Sequence, residues 1–433
     1  MHYISTRQHA PAATLGEAIT AGLAPDGGLY VPDAMPRVDP RTLSPDATLA
    51  ELAVPLLTPF FKGDALHDAL PAIAAEALDF AAPVQALPWA DADLLELFHG
   101  PTAAFKDFGA RFLAACLRHL RKPTDDPVLT ILVATSGDTG AAVAAAFHRV
   151  PGFRVCILYP EGRVSPRQAH QLGCFGDNVR ALRVAGSFDQ CQQMVKQALG
   201  DAELQARVPM SSANSISLGR LLPQMTYYAQ TALRHQREHG QPANFIIPTG
   251  NLGNALACTW MRALGLPVAR IHLAANANAT LPEYFAGNAY RPREGIPTLA
   301  NAMDIGAPSN FERLRWLYRN DDDALRAAFT AGSSDDDAIR RTIAATARDH
   351  DLVVCPHTAT AMHELARLRA AGDRTRWIVV ATAHPAKFDT VVEPLIGHHV
   401  PVPPALDALL QKPSHAEPMP AQSAALRHAL ENR

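Results

Sequence analysis

Two rhythms divide the chain. From about residue 94 onward, short apolar runs with β-forming residues alternate with longer stretches whose apolar positions recur at helical spacing. The runs lie at 94–98, 128–134, 155–159, 179–184, 245–248, 271–274, 352–355 and 377–381. Helical patterns fall between most of them, at 107–121, 139–148, 187–199, 217–235, 253–264 and 358–370. Such alternation predicts an α/β body with parallel sheets and helices on both faces, and this many runs predict two such units. Residues 1 to about 90 read differently. Strand-like positions at 3–6 precede a helical stretch at 14–22, the turn Pro25-Asp26-Gly27-Gly28, a short extended run at 29–32 and an Ala- and Leu-rich helical region at 46–60.

The expected organisation is therefore a small N-terminal domain over 1–90 and an α/β body of two interleaved subdomains over 91–398. An insertion near 275–350 interrupts the body, and a Pro-rich, then amphipathic tail follows over 399–433. Within the insertion, the runs Asp321-Asp322-Asp323 and Asp335-Asp336-Asp337 are expected to be helix N-termini or solvated surface rather than a metal site.

Length and composition narrow the classes. A chain of 433 residues exceeds one compact core, and 48% hydrophobic against 19% charged residues argues against disorder. Net charge is −3, with no basic stripe or polybasic cluster, so neither nucleic acid nor a membrane surface is an expected partner. A small anionic ligand remains open. Six cysteines without a CxxC pair predict reduced, buried thiols. The N-terminus lacks a basic region followed by an apolar one, and Gly137-Asp138 interrupts the longest apolar candidate, near 128–147. The expectation is a soluble cytoplasmic protein.

Five segments carry candidate chemistry, each at a strand-to-helix junction or a helix entry, where open α/β proteins place ligands. In 98–109, Lys106 stands between Phe105 and, past Asp107, Phe108. A desolvated lysine has a lowered pKa and becomes the amine nucleophile that Schiff-base chemistry needs, although taken alone Lys106 reads equally as a snorkelling surface lysine. In 135–140, small hydroxylated residues and glycines precede a helix, an arrangement that holds an anion or merely makes a turn. The run Gly250-Asn251-Leu252-Gly253-Asn254 lets backbone N–H groups approach a phosphate, and its lack of GxGxxG spacing favours one phosphate over a pyrophosphate. Segment 211–220 puts amide, hydroxyl and guanidinium donors on one loop, and is otherwise a capped helix start with a surface arginine. In 381–388, the hydroxyl of Thr382 at a strand end suits a ring nitrogen, while His384 reads more readily as structural. Neither HExxH, a Cys/His cluster nor GxSxG is present, so no zinc site or hydrolase elbow is expected.

Taken together and in order, these segments resemble the threonine synthase family, of the longer bacterial and fungal type, within the fold-type II (tryptophan synthase β-like) pyridoxal-phosphate enzymes. The run His99-Gly100-Pro101-Thr102-Ala103-Ala104-Phe105-Lys106-Asp107-Phe108-Gly109 is similar to the family's cofactor-lysine motif. Residues 3–7, 22–32, 135–140, 157–160, 188–192, 214–215, 250–254, 301–304 and 383–388 also look like the family, so the resemblance covers about 3–392. Ala110, Thr249 and Leu252 depart from frequent Gly, Ser and Phe without removing a functional group.

The resemblance implies a lyase that converts O-phospho-L-homoserine and water to L-threonine and phosphate, with pyridoxal 5′-phosphate held on Lys106 as a Schiff base. It implies that Gly250, Asn251, Leu252, Gly253 and Asn254 cradle the cofactor phosphate, that Thr382 meets the pyridine nitrogen, and that Asp138 lies beside the ring. A carboxylate there is unfavourable near a phosphate unless it points away. Thr139, Asn214, Ser215 and Arg220 match positions that bind the substrate's phosphate. Monomer and homodimer stay open. The rivals are another lyase of the same fold, such as a threonine or serine dehydratase, and a non-catalytic cofactor-binding homologue.

Overall fold

The structure, a computed structural model, describes residues 1–121 and 126–432. Its strands are β1 (Tyr3–Ser5), β2 (Tyr30–Pro32), β3 (Val84–Leu87), β4 (Ala92–Glu96), β5 (Leu129–Ala134), β6 (Phe153–Pro160), β7 (Val179–Ala185), β8 (Met210–Ser212), β9 (Ala243–Pro248), β10 (Val268–Ala275), β11 (Thr330–Ser333), β12 (Trp377–Ala381) and β13 (Glu417–Pro420). They build a two-stranded sheet β1-β2, a six-stranded sheet β11-β10-β9-β12-β4-β3 and a five-stranded sheet β13-β7-β6-β5-β8. The five-stranded sheet is wholly parallel, and the six-stranded one is parallel except for the β3–β4 pair. Central strands such as β5 and β12 are buried along their whole length, as sheets covered on both faces require. The expected α/β class with two parallel sheets and a small N-terminal sheet is what the chain adopts.

Helix boundaries follow local chemistry. Thr14, Thr48, Ser165 and Ser187 each open a helix with a capping box closed by Glu17, Glu51, Gln168 and Gln190. The acidic runs act as expected: Asp321 accepts from the amides of Asp323 and Ala324, and Asp335 from that of Ala338, at the starts of two helices.

Other expectations need correction. The apolar run at 352–355 is no strand. Asp351 ends the helix Asp336–His350 in the left-handed region, and Cys355 caps the helix Pro356–Ala370, so the run is a short connector, half-buried at Leu352 and Val353 and buried at Val354 and Cys355. The helix expected at 217–235 is two, Leu218–Leu221 and Gln224–His239, parted at Pro223, which supplies no amide hydrogen. Strands β3, β8, β11 and β13 escaped the pattern. β11 reads Thr-Ala-Gly-Ser, and β13 carries two prolines, which an edge strand tolerates. Through β13 the C-terminal segment completes the five-stranded sheet, and through β11 residues from 275–350 edge the six-stranded one. No helix among the described residues is long and apolar enough to cross a membrane.

The N-terminal unit packs against the body where ligand loops arise. Phe60 stacks on Trp260 of the helix Gly253–Ala263, with ring centroids 6.3 Å apart. Arg313, fully buried, donates from Nε (3.0 Å) and Nη2 (2.9 Å) to the Tyr30 carbonyl and from Nη1 to Asn310 Oδ1 (2.9 Å). Burial pulls its pKa down to about 9, with Glu312 opposing. Replacing Arg313 with Met strands a buried carbonyl and removes three charge-assisted bonds. The expected loss is about 2–4 kcal/mol, read by urea denaturation.

Candidate active site

Four strands from two sheets end at one cavity. β4 leads through 97–105 into the helix Lys106–Leu120, β5 into the helix Asp138–Phe147, and β9 into the helix Gly253–Ala263; β12 ends at Thr382. The wall includes Lys106, Asp138, Ser215, Arg220, Gly250, Asn251, Leu252, Gly253, Asn254 and Thr382, residues singled out above from five separate segments. Thr139 and Asn214 do not reach the wall. Thr139 is half-buried on the helix behind Asp138, and the Asn214 carbonyl accepts from the Ser217 amide in a local turn.

Lys106 opens its helix, and the loop before it is pinned. Asp107 accepts from the Thr102 amide (2.9 Å) and hydroxyl (2.7 Å), and the Phe105 amide donates to the Thr382 carbonyl (2.9 Å). Lys106 Nζ lies 4.4 Å from the centre of the Phe105 ring. Partial desolvation, reinforced by the charges of Arg220 and Lys387 and opposed by Asp138, lowers its pKa to about 8. The amine is thus primed for nucleophilic attack.

Asp138 is not a bare carboxylate facing an anion. Its Oδ1 lies 2.8 Å from Lys387 Nζ and accepts from Gln168 Nε2 at 3.0 Å. Burial alone would raise its pKa, yet Lys387, His357 and these hydrogen bonds hold it below the usual range. Lys387 is fully buried and also donates to the Thr102 carbonyl (2.7 Å), tying the Lys106 loop to the β5 loop. Asn301 Nδ2 donates to Gln168 Oε1 (3.0 Å), joining 301–304 to the same network.

The opposite wall is rich in donors. Asn251 Nδ2 donates to Ser215 Oγ (2.7 Å), and its Oδ1 accepts from the Ser309 amide (2.6 Å). Asn310 Nδ2 donates to the Asn251 carbonyl at 3.0 Å, so the buried Arg313 braces this loop. Leu252 holds the left-handed region (φ 63°) and gives no side-chain cap to the helix Gly253–Ala263, whose first amides stay open to an anion. A Cβ on Gly250 would lie 2.8 Å from Met303 Cα, so only glycine lets the two segments meet. Asn254 Oδ1 accepts from Tyr227 (2.6 Å) and Tyr228 (2.9 Å), which turns its amide nitrogen away from them. That Nδ2 and Arg220 Nε are buried without a partner among the described residues. Arg220 donates from Nη1 to the Ala213 carbonyl, and burial lowers its pKa to about 10. Orphaned donors, open helix amides and a partly desolvated amine are what a phosphate-bearing aldehyde requires, so the residues present fit pyridoxal phosphate.

Three members of the wall or its support were not singled out from sequence. His357 lines the cavity, accepts the Ala302 amide at Nε2 (3.1 Å), and has a pKa lowered to about 4 chiefly by burial. Gln224 lines it too, and its Nε2 donates to the Arg220 carbonyl (2.6 Å). Lys387 lay in a segment already noted, where the neighbouring His384 drew the attention; His384 proves to cap the turn Pro385–Phe388.

Replacing Lys387 with Met leaves Asp138 buried and uncompensated, at an expected cost of about 3–5 kcal/mol. Because Asp138 titrates low in the folded chain, its contribution is present above the unfolded carboxylate pKa of about 4 and is lost as pH falls through the lower folded value. The substitution raises the folded value and moves that loss to higher pH. Urea denaturation of both proteins across the acid range reads both effects.

Comparison with known proteins gives the family. Residues 94–383 match the family described as pyridoxal-phosphate dependent enzyme, 2–78 the threonine synthase N terminus, and 358–430 the threonine synthase C-terminal family. Threonine synthase of Haemophilus influenzae is 36% identical over 415 residues, covering 96% of each chain. The crystal structure of threonine synthase from Escherichia coli superposes with a TM-score of 0.91 at 34% identity, covering 100% of both chains. That of pyridoxal-phosphate-bound threonine synthase from Brucella melitensis gives 0.88 at 32%, covering 100% of this chain and 99% of the other. From its N-terminal unit to its C-terminal strand, the chain belongs to the threonine synthase family of pyridoxal-phosphate-dependent lyases.

Proposed function

We propose that the chain converts O-phospho-L-homoserine and water to L-threonine and inorganic phosphate, and that Lys106 both anchors the cofactor covalently and moves the protons. The observation that carries this reading is Lys106 itself, a half-buried amine at the cavity wall whose partial desolvation lowers its pKa to about 8, facing unpaired donors. Pyridoxal phosphate, when bound, supplies the conjugated system that stabilises negative charge at the substrate's Cα.

Everything else falls to the protein. With its pKa near 8, Lys106 is about one-tenth neutral at pH 7, enough to serve as a general base. Its free amine would take the proton from the substrate's Cα. Loss of a Cβ proton and of the γ-phosphate, protonation at Cγ, addition of water at Cβ and return of the Cα proton complete the reaction, with Lys106 as the main proton carrier. The 250–254 loop and the open amides of its helix hold the cofactor phosphate, and the Thr382 hydroxyl meets the ring nitrogen. Asp138 stands beside the ring, its charge neutralised by Lys387. Ser215 and Arg220 receive the substrate's phosphate, with Asn214 beside them in the same segment and Thr139 on the helix Asp138–Phe147. Cationic and amide donors there favour both binding and departure of the leaving group.

The matches at 2–78 and 358–430 favour this reading over a dehydratase of the same fold. The site is built from a single chain, which suits a monomer or a homodimer. Six buried cysteines that form no disulfide suit the reducing cytoplasm.

Purified protein supplied with O-phospho-L-homoserine should release phosphate and threonine in equal amounts. Absence of threonine from an active preparation would overturn the assignment. Lys106→Ala should lower turnover by about 10²–10⁴-fold or more. Borohydride reduction should add the mass of the reduced cofactor to the parent chain and none to the variant; near-normal turnover of the variant would remove Lys106 from its role.

A further inference from the structure

Away from the cavity, at the other end of the six-stranded sheet, Asp93 of β4 and His235 and His239 of the helix Gln224–His239 bring one ligand atom each within 4.8 Å of one another. The histidines stand four residues apart, so both rings leave the same face of the helix. His235 is only 6% exposed and Asp93 7%, whereas His239 is exposed, which makes a shallow pit with two buried members and an open rim. The two rings pack against each other, centroids 4.6 Å apart, and neither makes a hydrogen bond among the described residues. The His235 ring nitrogens are not among the buried unpartnered atoms, so the pit is open enough for water or an ion to reach them. Nothing in the proposed reaction uses it.

We propose that Asp93, His235 and His239 form a zinc site that staples the C-terminal end of this helix to the start of β4. Two imidazoles and one carboxylate are the ligand types that zinc takes, with water at the open rim as the fourth ligand. His239 is the last residue of its helix, where the carbonyl ends favour a cation. Arg376 also holds Asp93, from Nε to Oδ2 (2.9 Å) and from Nη2 to Oδ1 (2.7 Å). Each carboxylate oxygen keeps a further lone pair, and Asp91 shares the guanidinium's charge through Nη1 (2.8 Å). Arg376 thus acts as the outer partner that fixes the carboxylate's orientation, as around other metal ligands. The stapled helix begins with Gln224 at the cavity and carries Tyr227 and Tyr228, which hold Asn254. An ion at its far end braces the element that orients the phosphate wall.

The test uses the full chain loaded with pyridoxal phosphate, titrated with zinc in competition with a chromophoric chelator. The parent should bind a single equivalent, and His239→Ala and Asp93→Asn should each weaken binding by roughly tenfold or more. Zinc should raise the thermal midpoint of the parent and leave that of His239→Ala unchanged; since His239 is exposed, its removal spares the fold. Cobalt substituted for zinc should show no thiolate charge-transfer band. Failure of the parent to bind, binding by His239→Ala equal to the parent's, or a thiolate band placing the ion on a cysteine would each overturn the site.

Discussion

Keeping positive charge out of water is the constraint around which this molecule is arranged. Lys106 and Arg220 line one cavity and Lys387 is buried behind Asp138 in its wall, and each would rather be hydrated. Two buried carboxylates compensate in part: Asp138 lies against Lys387, and Asp107 acts on Arg220. The remainder is left for an anion. Lys387 answers the difficulty that a carboxylate beside a phosphate poses, because it turns Asp138 from a repelling charge into one half of a neutral pair. Its second bond, to the Thr102 carbonyl, makes the same ammonium a strut between loops arising from different sheets.

The cavity also depends on parts far from it in sequence. Arg313 connects the Tyr30 carbonyl of the N-terminal unit to Asn310, Asn310 connects to Asn251, and Asn251 to Ser215. The small N-terminal sheet therefore reaches the donor-rich wall of the cavity through buried and part-buried hydrogen bonds. Packing of Phe60 on Trp260 adds an apolar contact to the helix that bears the 250–254 loop.

Much of this was legible in the chain because apolar runs covered on both faces leave a strong signal. β5, β6, β9 and β12 were read within a residue or two, and the junctions after β5, β9 and β12 carried ligand-binding candidates. Edge strands were not legible, since β11 and β13 need no continuous apolar face and so carry none. The run at 352–355 misled for the converse reason: it is apolar because it is in part buried, not because it is paired. That error hid His357, which follows immediately and starts a helix at the cavity. Lys387 was hidden by its type, as a lysine is expected at the surface and nothing local shows that its partner lies on another sheet.

The order of strands has a bearing on how the protein is made. β12 lies between β9 and β4 in the six-stranded sheet, so the centre of that sheet is the last of its strands to leave the ribosome. Until it emerges, β4 and β9 have no common neighbour, and Thr382 and Lys387 are missing from the cavity. β13, still later, must pair with β7, which was made long before it. A growing chain can thus finish its small N-terminal sheet early but cannot assemble the cavity until β12 is made, and the amine of Lys106 acquires its full low-pKa surroundings only after the segment bearing Lys387 has emerged.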